Sequence, residues 1–367
     1  MSFALTEEQK EFQGVLRSFL RETVTSEYFR SQVGGHAALE KRPSDLNLWR
    51  KLAELGLPES FGASGTDFSV GFRELSLLAF ECGAALLPEP LLEVSFFGPY
   101  LFSRILSDAE RAQAQAFLGD SLFEELCCGN VHGSVALTQG PAFTLSSPGA
   151  ATSFGSAPTF LGAPESPLML VLERTSASNA RLILIKSQGG VASSFAAMLD
   201  PSLRAFRAEV KNAPCLVLEG QVASRTLQLF HTLRATEMAG ACTRAVEMTV
   251  DFVKTREQFG VPIGGFQAVQ HRLADMFLQS EALGAISRFA AWAADNSPEQ
   301  LPLASASALS QACEQAGLIV EGAIQLHGGI GFTYEYDLHF FLRRVKCLEA
   351  LYRFTEEELC SLISLAA

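Results

Sequence analysis

The stretch TREQFGVPIGGFQAVQHRLADMF, residues 255–277, sets Arg256, Gln258, Phe259 and Gln267 among three glycines and a proline. A chain that only needed to join two helices could do so under fewer constraints, so these side chains invite a functional reading. A second stretch, QLHGGIGFTYEYDLHFFLRRV, starts at Gln325 and places Gly328 and Gly329 directly after a helical pattern. Alone, that glycine pair is a helix stop, and Arg256 alone is a solvated surface charge. GGIGFT has the outline of a dinucleotide-binding loop, but it lacks the third glycine and follows a helix pattern instead of a strand, so a Rossmann reading fails.

Other chemistries find no footing. The eight cysteines, Cys82, Cys127, Cys128, Cys215, Cys242, Cys313, Cys347 and Cys360, form no CxxC pair and mostly sit in helical apolar patterns, as reduced core thiols do. The six histidines show no HExxH or similar spacing, so no metal site is expected. A formal charge of −12 argues against a nucleic-acid surface. No apolar run approaches the roughly 18 residues that span a bilayer, so membrane insertion is not expected. The start MSFALTEEQKEF is acidic where a secretory signal would be basic. A cytoplasmic location fits best.

The elements that must position these residues follow from periodicity. A chain of 367 residues exceeds the growth of one core, so two or three units are expected. Thr6 and Gln9 form a capping-box pattern before Phe12, Val15, Leu16, Phe19 and Leu20, which recur at helical spacing. NLWRKLAELGL, GFRELSLLAFECGAALL and AERAQAQAFLG repeat the pattern, separated by PESFGASGTDFS and PEPLLE. Short β-rich runs follow: SVALT, FTLS, LMLVLE, RLILIK, FRAEV and CLVLEG, too few and too irregular for a large barrel. They predict a compact sandwich or open barrel. Helical periodicity then persists in four long segments bounded near Gly260, Asn296 and His327. The expected fold is mainly α with a small β domain: 1–128 helical, 129–222 β, 223–367 a four-helix bundle.

This order and three stretches resemble the acyl-CoA dehydrogenase family. GLPESFGASGTDFSVGFRELSLLAFECGAALLP is similar to its N-domain signature, and residues 255–277 to R-x-x-F-G-x-P-I-x-x-F-Q-x-x-Q-x-x-L-A-D-M. The stretch from Gln325 resembles Q-x-x-G-G-x-G-(F/Y)-x-x-E. The resemblance implies that the last two reach across a dimer interface to the diphosphate and adenine end of FAD on the neighbouring subunit. Arg256 would offer planar charged donors, Phe259 an aromatic face, and Gln267 and Gln325 amide donors. Gly328 and Gly329 would let backbone approach the cofactor.

The resemblance also shows departures. The family's glutamate base would fall at Tyr352, in LEALYRFTEEEL, or at Phe230, in LQLFHTLRATEMAG, and neither residue is acidic. Glu237, seven residues after Phe230 and on roughly the same helix face, is the candidate substitute; its alternative is a structural glutamate satisfied by Arg234 or a partner chain. Glu349 and Glu356 flank Tyr352, with TEEEL reading as a helix start. Where the family places T-E-P-x-A-G-S-D against the flavin ring, this chain reads VALTQGPAFTLSS, with Thr138 and Gln139 the nearest remnants. The half-site lent to a neighbour is kept while the chain's own half is degraded.

The implied function is FAD-dependent α,β-dehydrogenation of an acyl-CoA thioester as the base-lacking subunit of an α2β2 complex. Such complexes resemble bacterial steroid side-chain degradation enzymes, and an electron-transfer flavoprotein would be the acceptor. The alternatives are a self-sufficient homo-oligomeric dehydrogenase with a displaced base, and a flavin-free assembly or acyl-binding protein of the same fold.

Overall fold

The computed structural model describes residues 4–33, 70–88, 97–128, 130–146, 149–153, 157–174, 180–187 and 190–360, with isolated positions between 48 and 57 and at 92. The expected helix NLWRKLAELGL is therefore described only in part. PESFGASGTDFS, most of PEPLLE and the first half of the N-domain signature lie outside the described residues.

The described chain forms two compact units. One joins residues 1–31, 72–87 and 231–354. Its helices are α1 (Glu7–Thr23), α2 (Ser26–Gln32), α3 (Phe72–Ala84), most of α7 (Gln221–Thr255), α8 (Gln267–Asn296), α9 (Leu301–His327) and α10 (Leu338–Tyr352). The Thr6 hydroxyl accepts from the Gln9 N–H at 3.2 Å and the Gln9 side chain accepts from the Thr6 N–H at 3.1 Å, the reciprocal box that starts α1. α3 is capped from a distance. The Asp295 carboxylate, at the end of α8, accepts from the N–H groups of Phe72 at 3.2 Å and Arg73 at 3.0 Å.

Two glycines let α3 and α7 touch backbone to backbone. A Cβ on Gly83 would lie 1.9 Å from the Glu237 carbonyl oxygen, and one on Gly240 would lie 1.9 Å from that of Phe80. No larger residue fits at either position.

The other unit joins residues 32–71, 88–230 and 355–367. It contains α4 (Phe97–Tyr100), which continues into a π-helical turn over Leu101–Ile105, then α5 (Asp108–Leu118) and α6 (Asp120–Cys127). Nine strands follow among the described residues: β1 (Gly133–Gln139), β2 (Phe143–Ser146), β3 (Ala150–Ser153), β4 (Thr159–Leu161), β5 (Leu168–Arg174), β6 (Ala180–Lys186), β7 (Val191–Phe195), β8 (Ala205–Val210) and β9 (Ala213–Glu219). They form one sheet in the order β2-β3-β9-β6-β5-β1-β4-β8-β7, in which only β1 and β5 pair in parallel. The sheet curls, since the Val210 N–H of β8 donates to the Ser153 hydroxyl of β3 at 2.7 Å although those strands stand far apart in the order. This is the open-barrel form of the expectation. Phe143, Phe160, Met169, Val171, Ile183, Ile185 and Phe206 fill its interior.

The central strand β5 is buried along its whole length, which is why LMLVLE reads as an uninterrupted apolar run. Its one acid, Glu173, is fully buried and faces Arg181 across β6, with an Nε–Oε2 distance of 2.5 Å. The other carboxylate oxygen accepts from the N–H groups of Ala142, at 2.5 Å, and Phe143, at 3.3 Å. The turn after β1 is thus pinned from below by a buried ion pair.

Candidate functional site

At the end of α7 the chain turns out of the helix. The Arg256 N–H still donates to the Phe252 carbonyl at 2.8 Å, and the Ile263 N–H donates to the Arg256 carbonyl at 2.8 Å. Between these bonds lies a hairpin, β10 (Glu257–Gln258) paired antiparallel with β11 (Val261–Pro262). Its two turn residues are Phe259, φ 54, and Gly260, φ 80. A two-residue turn with both central φ values positive matches the twist of the strands, and Asn-Gly is its usual sequence. Phenylalanine in that backbone region is uncommon and costs about 1–2 kcal/mol. Phe259 is nonetheless 93% exposed, so burial among the described residues explains neither its conformation nor its type. Phe266 touches it edge-on, at 6.2 Å between ring centroids.

The end of α9 packs on the last turns of α7, from which the hairpin leaves. His327 stacks on Phe252 of α7 at 4.2 Å, and its Nδ1–H donates to the Ala323 carbonyl at 2.8 Å. The first turns of α8 cross the same region: a Cβ on Gly322 would lie 3.0 Å from the Met276 sulfur and 3.1 Å from the Arg272 guanidinium. Arg256, Gln267, Gln325, Gly328 and Gly329 therefore share one end of the bundle, and all are exposed. Gly328, φ 63, turns the chain into a 3-10 segment, Gly328–Phe332, and open space surrounds the Cβ position of both Gly328 and Gly329. Arg256 has no ion-pair partner among the described residues. The set offers a guanidinium, two amides and bare backbone at one exposed end of the bundle, groups that fit the diphosphate of a dinucleotide such as FAD. Phe277, Leu278, Phe332 and Tyr334 are large apolar or aromatic residues on α8 and on the segment after α9, each more than half exposed.

The residues read as base candidates lie elsewhere. Phe230 of α7 is 1% exposed and packs on Phe97, with ring centroids 5.9 Å apart. Tyr352, the last residue of α10, is likewise buried. Glu349 is held by Lys346, at 3.3 Å, and Arg353, at 3.0 Å, on the helix surface. Glu356 is exposed in the first turn of a helix capped by Thr355 and Glu358, whose side chains bond each other's backbone N–H groups at 2.8 and 3.2 Å, so TEEEL starts a helix as read. Thr138 of β1 uses its hydroxyl locally, donating to the Gly140 carbonyl at 3.2 Å.

Glu237 is buried within the bundle. One oxygen lies 2.5 Å from Arg234 Nη1 and the other accepts from Arg344 Nη1 at 2.8 Å; Arg344 Nη2 also donates to the Leu87 carbonyl at 2.9 Å. Burial pushes the neighbouring Cys82 thiol far up, and the charge of Glu237 adds to that shift. The i,i+3 pairing with Arg234 was legible in the sequence. Arg344, 107 residues later, was missed, and its only trace is a basic pair inside the apolar run HFFLRRV.

Among the described residues, no group of three or more His, Cys, Asp or Glu is placed to hold a metal ion. No helix among them is long and apolar enough to cross a membrane.

Comparison with known proteins agrees with the architecture. Residues 220–360 match the family model described as acyl-CoA dehydrogenase, C-terminal domain. The acyl-CoA dehydrogenase IpdE2 of Mycobacterium tuberculosis is 30% identical over 339 residues, covering 89% of this chain and 90% of that protein. Two solved structures share the fold at 24% identity, each with a TM-score of 0.80. They are the Tcur3481-Tcur3483 steroid ACAD, covering 98% of both chains, and the ChsE4-ChsE5 complex from Mycobacterium tuberculosis, covering 100% of this chain and 98% of that one. The chain belongs to the acyl-CoA dehydrogenase family and is an acyl-CoA dehydrogenase-like oxidoreductase.

Proposed function

We propose that this chain is a subunit of a flavin-dependent acyl-CoA dehydrogenase complex, one that lends its clasp to a homologous partner and contributes no base. The observation that carries the reading is the replacement of both expected carboxylates by buried aromatics. Phe230 is sealed against Phe97, and Tyr352 is 3% exposed. Removing an α-proton needs a positioned acceptor, and neither side chain is one at neutral pH. Glu237 is read as the centre of an ion-pair network, because each of its oxygens already faces a guanidinium.

On the lending side, Arg256 would pair with the diphosphate of FAD, Gln267 and Gln325 would donate amide hydrogens, and Gly328–Gly329 would allow close backbone approach. Phe259, held strained and in solvent, would be covered by the partner. FAD bound there supplies the hydride acceptor for α,β-dehydrogenation, with an electron-transfer flavoprotein as the onward acceptor. The partner would provide the carboxylate and the ring-facing β-domain loop, whose counterpart here retains only Thr138 and Gln139. That the ChsE4-ChsE5 neighbour was solved as a complex supports a two-chain assembly.

Co-expression with a homologous, glutamate-bearing chain tests this. The purified complex should hold about two flavins per four chains, since each dimer would have one complete site and one broken one. The chain alone should be colourless and inactive. A homo-oligomer with one FAD per chain that turns over an acyl-CoA would sink the proposal in favour of a displaced base. Colourless chains in every complex would favour a non-enzymatic acyl-binding role.

A further inference from the structure

A cleft lies within the helical unit, lined by side chains other than Arg256, Phe259, Gln267 and Gln325. Between α1, α2, α3, α7 and α10 opens a cleft of about 450 Å³, within the range of small-molecule sites, about 300–1,000 Å³. Its inner wall is hydrocarbon from Leu20, Val24, Phe29, Phe80, Met248 and Phe341. Ala84 and Ala85, at the end of α3, line it with the smallest side chains that could stand there, and so leave it open. Leu86 follows with φ 50, the left-handed position after a helix that glycine usually takes. The Leu86 side chain is buried in the cleft wall, where a glycine would avoid the strain but present no apolar surface.

The mouth is charged. Arg17 is gripped by the buried Glu81, with Nη2–Oε1 2.9 Å and Nε–Oε2 3.2 Å, and Asp337 is taken by Arg30 at 2.8 Å. That leaves Arg21 and Arg244, which converge on a single oxygen, Glu247 Oε2, at 3.3 and 3.1 Å. Neither makes another hydrogen bond among the described residues, although each guanidinium carries five N–H donors. Two cations thus share one anion above an apolar wall, a locally positive spot on a chain of net charge −12.

We propose that this cleft binds a hydrocarbon monocarboxylate, its carboxylate bridging Arg21 and Arg244 and its chain lying against Phe80 and Phe341. A carboxylate presents two oxygens that match guanidinium donors, and it can displace Glu247 from part of that contact. The wall then removes methylenes from water, which a small inorganic anion could not exploit. A neutral hydrocarbon would use the wall and leave the guanidiniums no better paired. The site stands on residues of this chain alone and does not depend on flavin or on a partner.

Titration calorimetry on the purified chain, with decanoate as ligand and decan-1-ol as its uncharged counterpart, tests the idea. Decanoate should bind once per chain. The Arg21→Ala, Arg244→Ala double variant should weaken it by on the order of tenfold or more, as expected for loss of charge-assisted bonds. Ala84→Leu should abolish binding by filling the cleft, with the circular dichroism unchanged. Met248→Trp fills the same space from the α7 wall and should do the same. Equal affinity for decanoate and decanol, retention of binding in both filled variants, or no binding of decanoate would each overturn the proposal.

Discussion

Replacing Glu237 separates a structural carboxylate from a catalytic one. Its side chain is 5% exposed and the facing groups of Arg234 and Arg344 are each 1% exposed. Glu237→Ala would leave both guanidiniums buried beside a cavity, and removing one partner of a buried ion pair costs about 3–5 kcal/mol. Glu237→Gln should lose much of the same, because an amide has one acceptor oxygen where two donors must be met and its NH2 would face a guanidinium. Urea unfolding followed by far-ultraviolet circular dichroism reads the effect. With a slope near the top of the usual range, about 3 kcal/mol per molar, the midpoint should fall by on the order of 1 M or more. Replacing Glu237 and Arg344 together by methionine should recover part of the loss, since apolar side chains of similar volume need no counter-charge. A Glu237→Gln protein with an unchanged midpoint and abolished flavin reduction would refute this reasoning and make Glu237 the base.

Four further outcomes are expected. Arg256→Ala should strip flavin from the co-purified complex, by about 1.5–3 kcal/mol for a charged hydrogen bond; full occupancy measured by absorbance would remove TREQFG from the cofactor. Phe259→Gly should relieve about 1 kcal/mol of backbone strain in the isolated chain while weakening assembly, so a stability gain without a change in sedimentation would count against a covered Phe259. Phe230→Glu should destabilise the fold by roughly 3–5 kcal/mol, as large core losses do, and should not make the isolated chain active; turnover by that variant would show that only the base was missing. His327 and His339 are pushed below the usual histidine range, chiefly by burial and against the opposing pull of the Ala323 and Tyr336 carbonyls. Unfolding therefore takes up protons, and the stability present above about pH 6.5 is lost as pH falls below it. The urea midpoint should drop between pH 7.5 and 5.5, and His327→Asn should flatten that drop.

Local signals were legible where the chain closes its own hydrogen bonds. Thr6 with Gln9 and Thr355 with Glu358 are capping boxes that need no distant partner. LMLVLE and RLILIK announce β5 and β6 because burial of both faces fills their central positions, LMLVL and LILI, with apolar residues. By contrast β3, β4 and β7 are only AATS, TFL and VASSF. Strands that short and that rich in Ala, Ser and Thr exist by virtue of their neighbours, and no periodicity within them could declare it. Arg344 was hidden for a related reason, since its partner lies far away in the chain and only tertiary packing joins them.

The clasp was visible on different grounds. Packing dictates most residues of a helical bundle, so a residue that packing would not choose carries information. An aromatic at positive φ with 93% exposure is such a residue, and so is an exposed arginine with no ion-pair partner among the described residues. These exceptions sit within contiguous stretches, residues 255–277 and 325–335, so their spacing could be read directly. The base positions work the opposite way. Phe230 and Tyr352 are good core residues, each buried as its type prefers, and nothing in their local sequence marks them as replacements. Their meaning comes only from the task they cannot perform. In the proposed two-chain site the division would run along this line: the lent half would have to stay exposed and keep side chains with no use inside the monomer. On that proposal the unused half would be free to fill with hydrocarbon and gain stability.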